Sequence, residues 1–121
     1  MISGIGCDIV DLNRLNLDNE CFVLKLLTKN EFLIFKNKNS LKQKKEFLGG
    51  RFAAKEAFFK AHGIEHGMLS FHDIEILNDK NGKPKINYPN TFISIAHEND
   101  YAIAYVVVEE EIGRASCRER V

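Results

Sequence analysis

From Ile2 to Val10 the chain alternates, with Ile5, Cys7 and Ile9 on one side and Gly4, Gly6 and Asp8 on the other. That period predicts a strand whose second face is almost bare. Glycines there let something approach the backbone closely, and Asp8 is the one charge on that face. Asp8 could serve a strand-end turn or a helix cap. Asp11 is better placed to cap, because Leu12, Leu15 and Leu17 begin an apolar helical pattern after it, and Asp8 is left for another task. Cys21, Phe22, Leu24, Leu26 and Leu27 predict a second short helix. Thr28 and Glu31 have the spacing of a capping box, opening a helix through Phe32, Leu33, Ile34 and Phe35. Ser40 and Gln43 repeat that spacing and start a long helix that runs through Gly49-Gly50 to His62 and stops at Gly63. Two glycines inside a helix each cost about 1 kcal/mol relative to alanine, so close packing or ligand approach is expected there.

From Phe71 the period shortens. Ile74 and Ile76 alternate with Asp73 and Glu75, and Asn81-Gly82 is a strong hairpin signal followed by Lys83-Pro84 and a strand from Lys85 to Tyr88. Pro84 marks an edge or a strand start. Thr91 to Ala96 and Tyr101 to Glu109 form two more strands around the polar turn His97-Glu98-Asn99-Asp100. The last strand is apolar on both faces, which fits a central strand or one at a subunit interface. One strand, then helices, then strands is an α+β pattern.

The segment Arg51 to Lys60 departs from an ordinary amphipathic helix. At about 100° per residue Arg51 and Lys55 fall together, Glu56 and Lys60 fall together, and the two pairs lie roughly 140° apart. Apolar residues fill both arcs between them, so the helix is dry nearly all round with charge in two narrow stripes. Such charges are expected to be partly buried, and a charge in apolar surroundings is costly unless paired or bound to an ion. Glu56 with Lys60 is therefore either a candidate site or an i,i+4 salt bridge contributing about 0.2–0.5 kcal/mol.

A chain of 121 residues suits one domain. Residues 1–111 are taken as that domain. The last ten, Ile112 to Val121, change character abruptly and resemble a vector-encoded or disordered tail. The whole chain is formally neutral, and the tail's three Arg and one Glu leave −2 on the body, which argues against bulk nucleic-acid binding. Lys36, Lys38, Lys42, Lys44 and Lys45 crowd one segment, either a solvated basic loop or a contact for phosphate or an acidic partner. No apolar run approaches the ~20 residues of a membrane helix and no signal-peptide pattern opens the chain, so a cytoplasmic protein is expected. Cys7 and Cys21 lack the spacing of a metal or disulfide framework and are expected to be reduced.

The polar residues without an obvious structural task are Asp8, Glu56, Lys60, Arg51, His97 and the lysine cluster. Separated carboxylates without a His/Cys cluster do not make a zinc site, but they suit magnesium, which takes one or two carboxylates and completes its shell with water and phosphate oxygens. Nearby Lys and Arg would take the remaining phosphate charge, a set that belongs to phosphoryl or pyrophosphate chemistry. The phosphate-loop fingerprint is missing, and Gly4-x-Gly6 lacks the rest of a dinucleotide motif. A lone His97 is more often a satisfied structural histidine than a catalytic one.

Three ordered stretches carry more. Gly4-Ile-Gly-Cys-Asp-Ile-Val-Asp-Leu-Asn-Arg14, Arg51-Phe-Ala-Ala-Lys-Glu-Ala57 with Lys60, and Ser94-Ile-Ala-His97 followed by Tyr101-Ala-Ile-Ala resemble the signatures of the holo-acyl-carrier-protein synthase family, with a G-K-P element at Gly82, Lys83 and Pro84. The resemblance implies transfer of the phosphopantetheine arm of coenzyme A to a serine of apo-acyl carrier protein, releasing adenosine 3′,5′-bisphosphate and supporting fatty acid biosynthesis. It further implies Mg²⁺ held by Asp8 and Glu56, phosphate neutralised by Lys60, and the adenosine end of coenzyme A near Arg51, Gly82, Lys83, Pro84 and His97. Arg14 would meet the acidic carrier protein, and the enzyme would be a homotrimer with sites between subunits. Where the family commonly has Ser-x-Ser-His this chain has Ala96, so a second hydroxyl is missing. A non-catalytic module binding coenzyme A or carrier protein, and a small metal-dependent phosphohydrolase, are the competing classes.

Overall fold

The structure, a computed structural model, describes residues 1–65 and 67–110. The expected tail lies outside them. A first strand β1 (Ile2–Asp11) leads through a 3-10 turn (Leu12–Arg14) to helices α1 (Glu20–Leu26), α2 (Lys29–Lys36) and α3 (Leu41–His62). A second 3-10 turn (Phe71–Asp73) precedes strands β2 (Ile76–Asn78), β3 (Pro84–Ile86), β4 (Thr91–Glu98) and β5 (Tyr101–Glu109). The order β1-β5-β4 makes one antiparallel sheet with β5 central, and β2-β3 is a separate antiparallel ribbon. This is the α+β fold that the element order predicts.

The helix boundaries follow local side-chain chemistry. Asp11 accepts from the N–H of Asn13, and Thr28 and Glu31 complete a full capping box at the start of α2. Ser40 accepts from the N–H of Gln43, while the Gln43 amide reaches back one residue further than a capping box requires, to the N–H of Asn39. Gly63 ends α3 in the left-handed region at φ 65°.

The strand-half boundaries differ from expectation, with β3 running Pro84–Ile86 rather than Lys85 to Tyr88, while the hairpin itself forms where Asn81-Gly82 signals it. The strand foreseen from Phe71 starts only at Ile76, because Ser70 and Asp73 form a capping box that winds the intervening residues into a 3-10 turn. In the hairpin only Gly82 has positive φ, at 84°. The N–H of Gly82 donates to Asp79 and that of Asp79 to Lys83, so Lys80 and Asn81 occupy the turn centre and Gly82 the left-handed bulge position. Finally, Glu98 pairs with Tyr101, so β4 continues through His97 and the turn shrinks to Asn99-Asp100, with Asn99 at φ 50°.

Helix α3 packs on the sheet through Ala53, Ala54, Ala57, Phe58 and Ala61 against Val10, Ala102, Ala104 and Val106. A second cluster, Val23, Leu26, Leu27, Phe35, Phe47 and Leu48, joins the three helices. The bare face of β1 is explained by this packing: a Cβ on Gly6 would lie 2.0 Å from the carbonyl oxygen of Ala57, and one on Gly4 2.0 Å from that of Ala61. What approaches the glycines is α3 itself. Gly49 likewise makes room for Leu12 and Leu15. The opposite sheet face stays open, with Ile5, Ile9, Phe92, Tyr101 and Tyr105 all more than half exposed.

The charge stripes of α3 separate by environment. Lys55 is wholly buried and donates to Glu31 Oε1 (2.7 Å) and to the carbonyls of Leu26 (2.7 Å) and Phe71 (3.0 Å), satisfying all three ammonium hydrogens. Glu31 also accepts from the N–H groups of Thr28 and Ile76. Burial pulls the Lys55 ammonium below its ordinary value while the Glu31 carboxylate pushes it back up. Glu56 is half-buried and Lys60 exposed, so the burial expected of both stripes falls mainly on Arg51 and Lys55.

Replacing Lys55 by Met strands the Glu31 charge in the core and is expected to cost about 3–5 kcal/mol in urea unfolding. Gly6→Ala forces a methyl group against a helix carbonyl and is expected to cost about 1–3 kcal/mol in the same measurement.

Candidate active site

Asp8 projects from the glycine face of β1, just past the close contact with α3, where Lys60 meets it. The Lys60 ammonium donates to Asp8 Oδ1 at 3.0 Å and to the Cys7 carbonyl at 3.0 Å. Glu56 stands one helical turn before Lys60 on the same stripe. Beside Asp8 opens a cavity of about 640 Å³, with Asp11, Arg14, Phe22, Phe52 and Tyr101 in its walls. Phe22 and Phe52 meet edge to face with ring centres 5.3 Å apart. Arg14 is 88% exposed and lies 3.8 Å from Asp11, a loose pair that leaves the guanidinium accessible.

A second cavity of about 980 Å³ is walled by Phe47 and Arg51 of α3, Asn78, Gly82 and Pro84 of the β2-β3 ribbon, and His97 of β4. Lys38, from the basic segment, lies at its edge beside Asn37 and Asn39. Lys83 is exposed and outside this lining. The structure thus gathers Arg51, Gly82, Pro84 and His97 in one place and Asp8 with Lys60 in another; the two cavities share no lining residue.

Arg51 is nearly buried and held tightly. Its Nε and Nη2 donate to the Ile76 carbonyl at 3.2 and 3.0 Å, and Nη2 also donates to Asn78 Oδ1 at 2.7 Å. The guanidinium carbon stacks 4.3 Å from the Phe47 ring centre. Burial lowers its pKa to about 10, partly offset by Glu31, which leaves it cationic at neutral pH. His97 Nδ1 stands 3.2 Å from Glu46 Oε2, so the imidazole is oriented by a carboxylate. Cys7 and Cys21 are both free thiols.

Sequence reasoning passed over Glu46, Asn78 and the Glu31–Lys55 pair. Glu46 bonds His97 and Asn78 bonds Arg51, partners far along the chain, and the local bond from Asn78 to the Gly82 carbonyl carries no spacing motif. Glu31 was visible only as a capping residue.

Asp8 with Lys60 beside one cavity, and Arg51 with His97 in the wall of another, give this α+β fold two places where cations face open space. The family model of the 4′-phosphopantetheinyl transferase superfamily matches residues 4–106, and the chain belongs to that superfamily. Within it the chain is 50% identical to a holo-[acyl-carrier-protein] synthase from Geobacillus sp. over 117 residues, 90% of this chain and 98% of that protein. It is 42% identical to the one from Streptococcus agalactiae, covering 92% of this chain and 99% of that one. A holo-(acyl-carrier-protein) synthase from Bacillus anthracis, solved in complex with CoA (3′,5′-ADP), superposes with a TM-score of 0.84 at 42% identity, over 92% of this chain and 99% of that one. The synthase from Helicobacter pylori in complex with coenzyme A gives 0.74 at 31%, over 87% and 99%.

Because the Asp8–Lys60 pair reaches solvent through the lysine, whose side chain is 56% exposed against 23% for Asp8, Asp8→Asn is expected to change unfolding free energy by only ~1 kcal/mol. Denaturant titration checks this, and a small effect means that any loss of turnover reports on chemistry rather than folding.

Proposed function

We propose that this chain transfers the 4′-phosphopantetheine group of coenzyme A to a serine hydroxyl of apo-acyl carrier protein, releasing adenosine 3′,5′-bisphosphate. The observation that carries the proposal is Asp8 of β1 and Lys60 of α3, 52 residues apart in the chain, brought together beside a cavity that also holds Arg14. The serine oxygen attacks the phosphorus nearest the pantetheine arm, and the bond to the bridging diphosphate oxygen breaks. Asp8 or Glu56 accepts the serine proton, directly or through a water, since a base must lie within hydrogen-bond reach of it. Lys60 offers its ammonium to the phosphate oxygens as charge moves onto the leaving bisphosphate. Arg51, Gly82, Lys83, Pro84 and His97 bind the adenosine end, with Arg51 remaining cationic for that task.

The donor set fits magnesium. Among the described residues no group of three or more His, Cys, Asp or Glu could form an all-protein metal cage. Asp8 lines an open cavity and Glu56 lies one helical turn before Lys60, the partner of Asp8, and one or two carboxylates are the complement that magnesium takes when water and phosphate fill the rest of its shell. Asp8 and Glu56 would hold it, and it would supply charge neutralisation on the diphosphate.

Arg14 and the apolar floor of the first cavity receive the carrier protein. The open apolar face of the main sheet supports self-association, and a homotrimer would let the two cavities of neighbouring copies form one complete site. The domain is residues 1–111, acting in the cytoplasm in support of fatty acid biosynthesis. No helix among the described residues is long and apolar enough to cross a membrane.

Incubation with apo-carrier protein, coenzyme A and Mg²⁺ is expected to add one phosphopantetheine mass to the carrier, read by intact mass spectrometry. Free phosphate would mean hydrolysis, and an unchanged carrier would mean binding alone. Asp8→Asn and Glu56→Gln are each expected to lower turnover by about 10²–10⁴-fold, and near-native turnover in both would remove the assignment.

A further inference from the structure

The β2-β3 ribbon has three residues in each strand, too little for a ribbon to be stable alone, yet it forms one wall of the larger cavity. Its inner end is fixed by buried charge: the N–H of Ile76 donates to Glu31 at 2.8 Å and its carbonyl accepts from Arg51. Its outer end, the turn Asp79–Lys83, is held within itself by Asp79, whose Oδ1 accepts from the N–H groups of Asn81 and Lys83. That organises the turn but does not tie it to the helices.

Asn78 makes the tie. Its Oδ1 accepts from Arg51 Nη2 at 2.7 Å, and its Nδ2 donates to the Gly82 carbonyl at 3.0 Å. One amide thus spans from a guanidinium anchored on α3 to the turn, using an acceptor and a donor that a hydrophobic or a charged side chain would not both supply. The bond to Arg51 also steers the cation, because the guanidinium plane is fixed by Ile76, Asn78 and Phe47 together.

We infer that Asn78 is a positioning residue for the nucleotide end of the substrate, bracing the Gly82 turn and aiming Arg51 across the larger cavity toward an adenosine bisphosphate group. This rests on the proposed use of coenzyme A, and it concerns substrate affinity rather than the chemical step. Asn78 is itself exposed, so removing its amide leaves the core intact.

The test compares the full chain with Asn78→Ala by calorimetric binding of adenosine 3′,5′-bisphosphate, thermal unfolding, amide hydrogen exchange and steady-state transfer. The expected result is binding weakened roughly tenfold, the size of one lost hydrogen bond to a charged group. KM for coenzyme A should rise by a similar factor while kcat and KM for the carrier stay within about twofold and the unfolding temperature is little changed. Exchange should speed up at residues 79–83 and not at the amides of Thr28 and Glu31. Unchanged bisphosphate affinity in the variant overturns the inference, as does a wild-type chain that does not bind the bisphosphate. A parallel fall in kcat, both affinities and unfolding temperature also overturns it, since that is the mark of a merely structural role. A wild-type chain that binds the bisphosphate but leaves the carrier unmodified sinks the transferase assignment alone, and the calorimetry still decides on Asn78.

Discussion

A lysine and a glutamate with no access to water hold this molecule's layers in register. Lys55 belongs to the long helix, Glu31 to the first turn of α2, and between them they bind backbone at Leu26, Thr28, Phe71 and Ile76. A buried pair of this kind is weak evidence for stability by itself, because desolvating both charges offsets most of their attraction. Its value lies in demanding one arrangement. Five segments must reach the two side chains at once, or a charge is left bare.

That constraint fixes where the site residues fall. With α3 locked against α2 and β2, its two charged stripes point different ways. Arg51 turns toward the ribbon and the larger cavity, and Lys60 toward Asp8 on β1. The glycines of β1 complete the placement by letting α3 lie against the strand backbone, which brings the carboxylate and the ammonium into contact. Fold and site thus share one cause: the helix that carries the charges also carries the core.

Much of this was legible in the chain. Caps at Asp11, Thr28 and Ser40 work through bonds three residues long or shorter, so spacing alone reveals them. The doubly apolar β5 fits a central strand or one at a subunit interface, and its place between β1 and β4 realises the first. The Lys55–Glu31 bond, by contrast, joins residues 24 apart, and the wheel of α3 showed two charge stripes with nothing to say which was buried. The wheel points to Glu56 and Lys60 as the candidate site, whereas the deeper burial lies at Lys55. The turn at Phe71 escapes the sequence because Asp73 and Glu75 alternate with Ile74 and Ile76 like a strand, while Asp73 bonds back to Ser70 as a cap. His97 was set in a loop because four polar residues in a row resemble one, and only pairing with Ala102 shows that it is strand.

The two-residue connection at Asn99-Asp100 bears on how His97 could drift during evolution. A pleated chain sends successive side chains to opposite sides, so a slip of β4 by one residue against β5 would hand the imidazole's place to Ala96 or Glu98 and turn the ring away from Glu46. A change that slips the two strands must therefore come in even steps to keep the imidazole in place, whereas one absorbed by the turn leaves it where it is. Loop grafting at this end of the sheet should respect that parity.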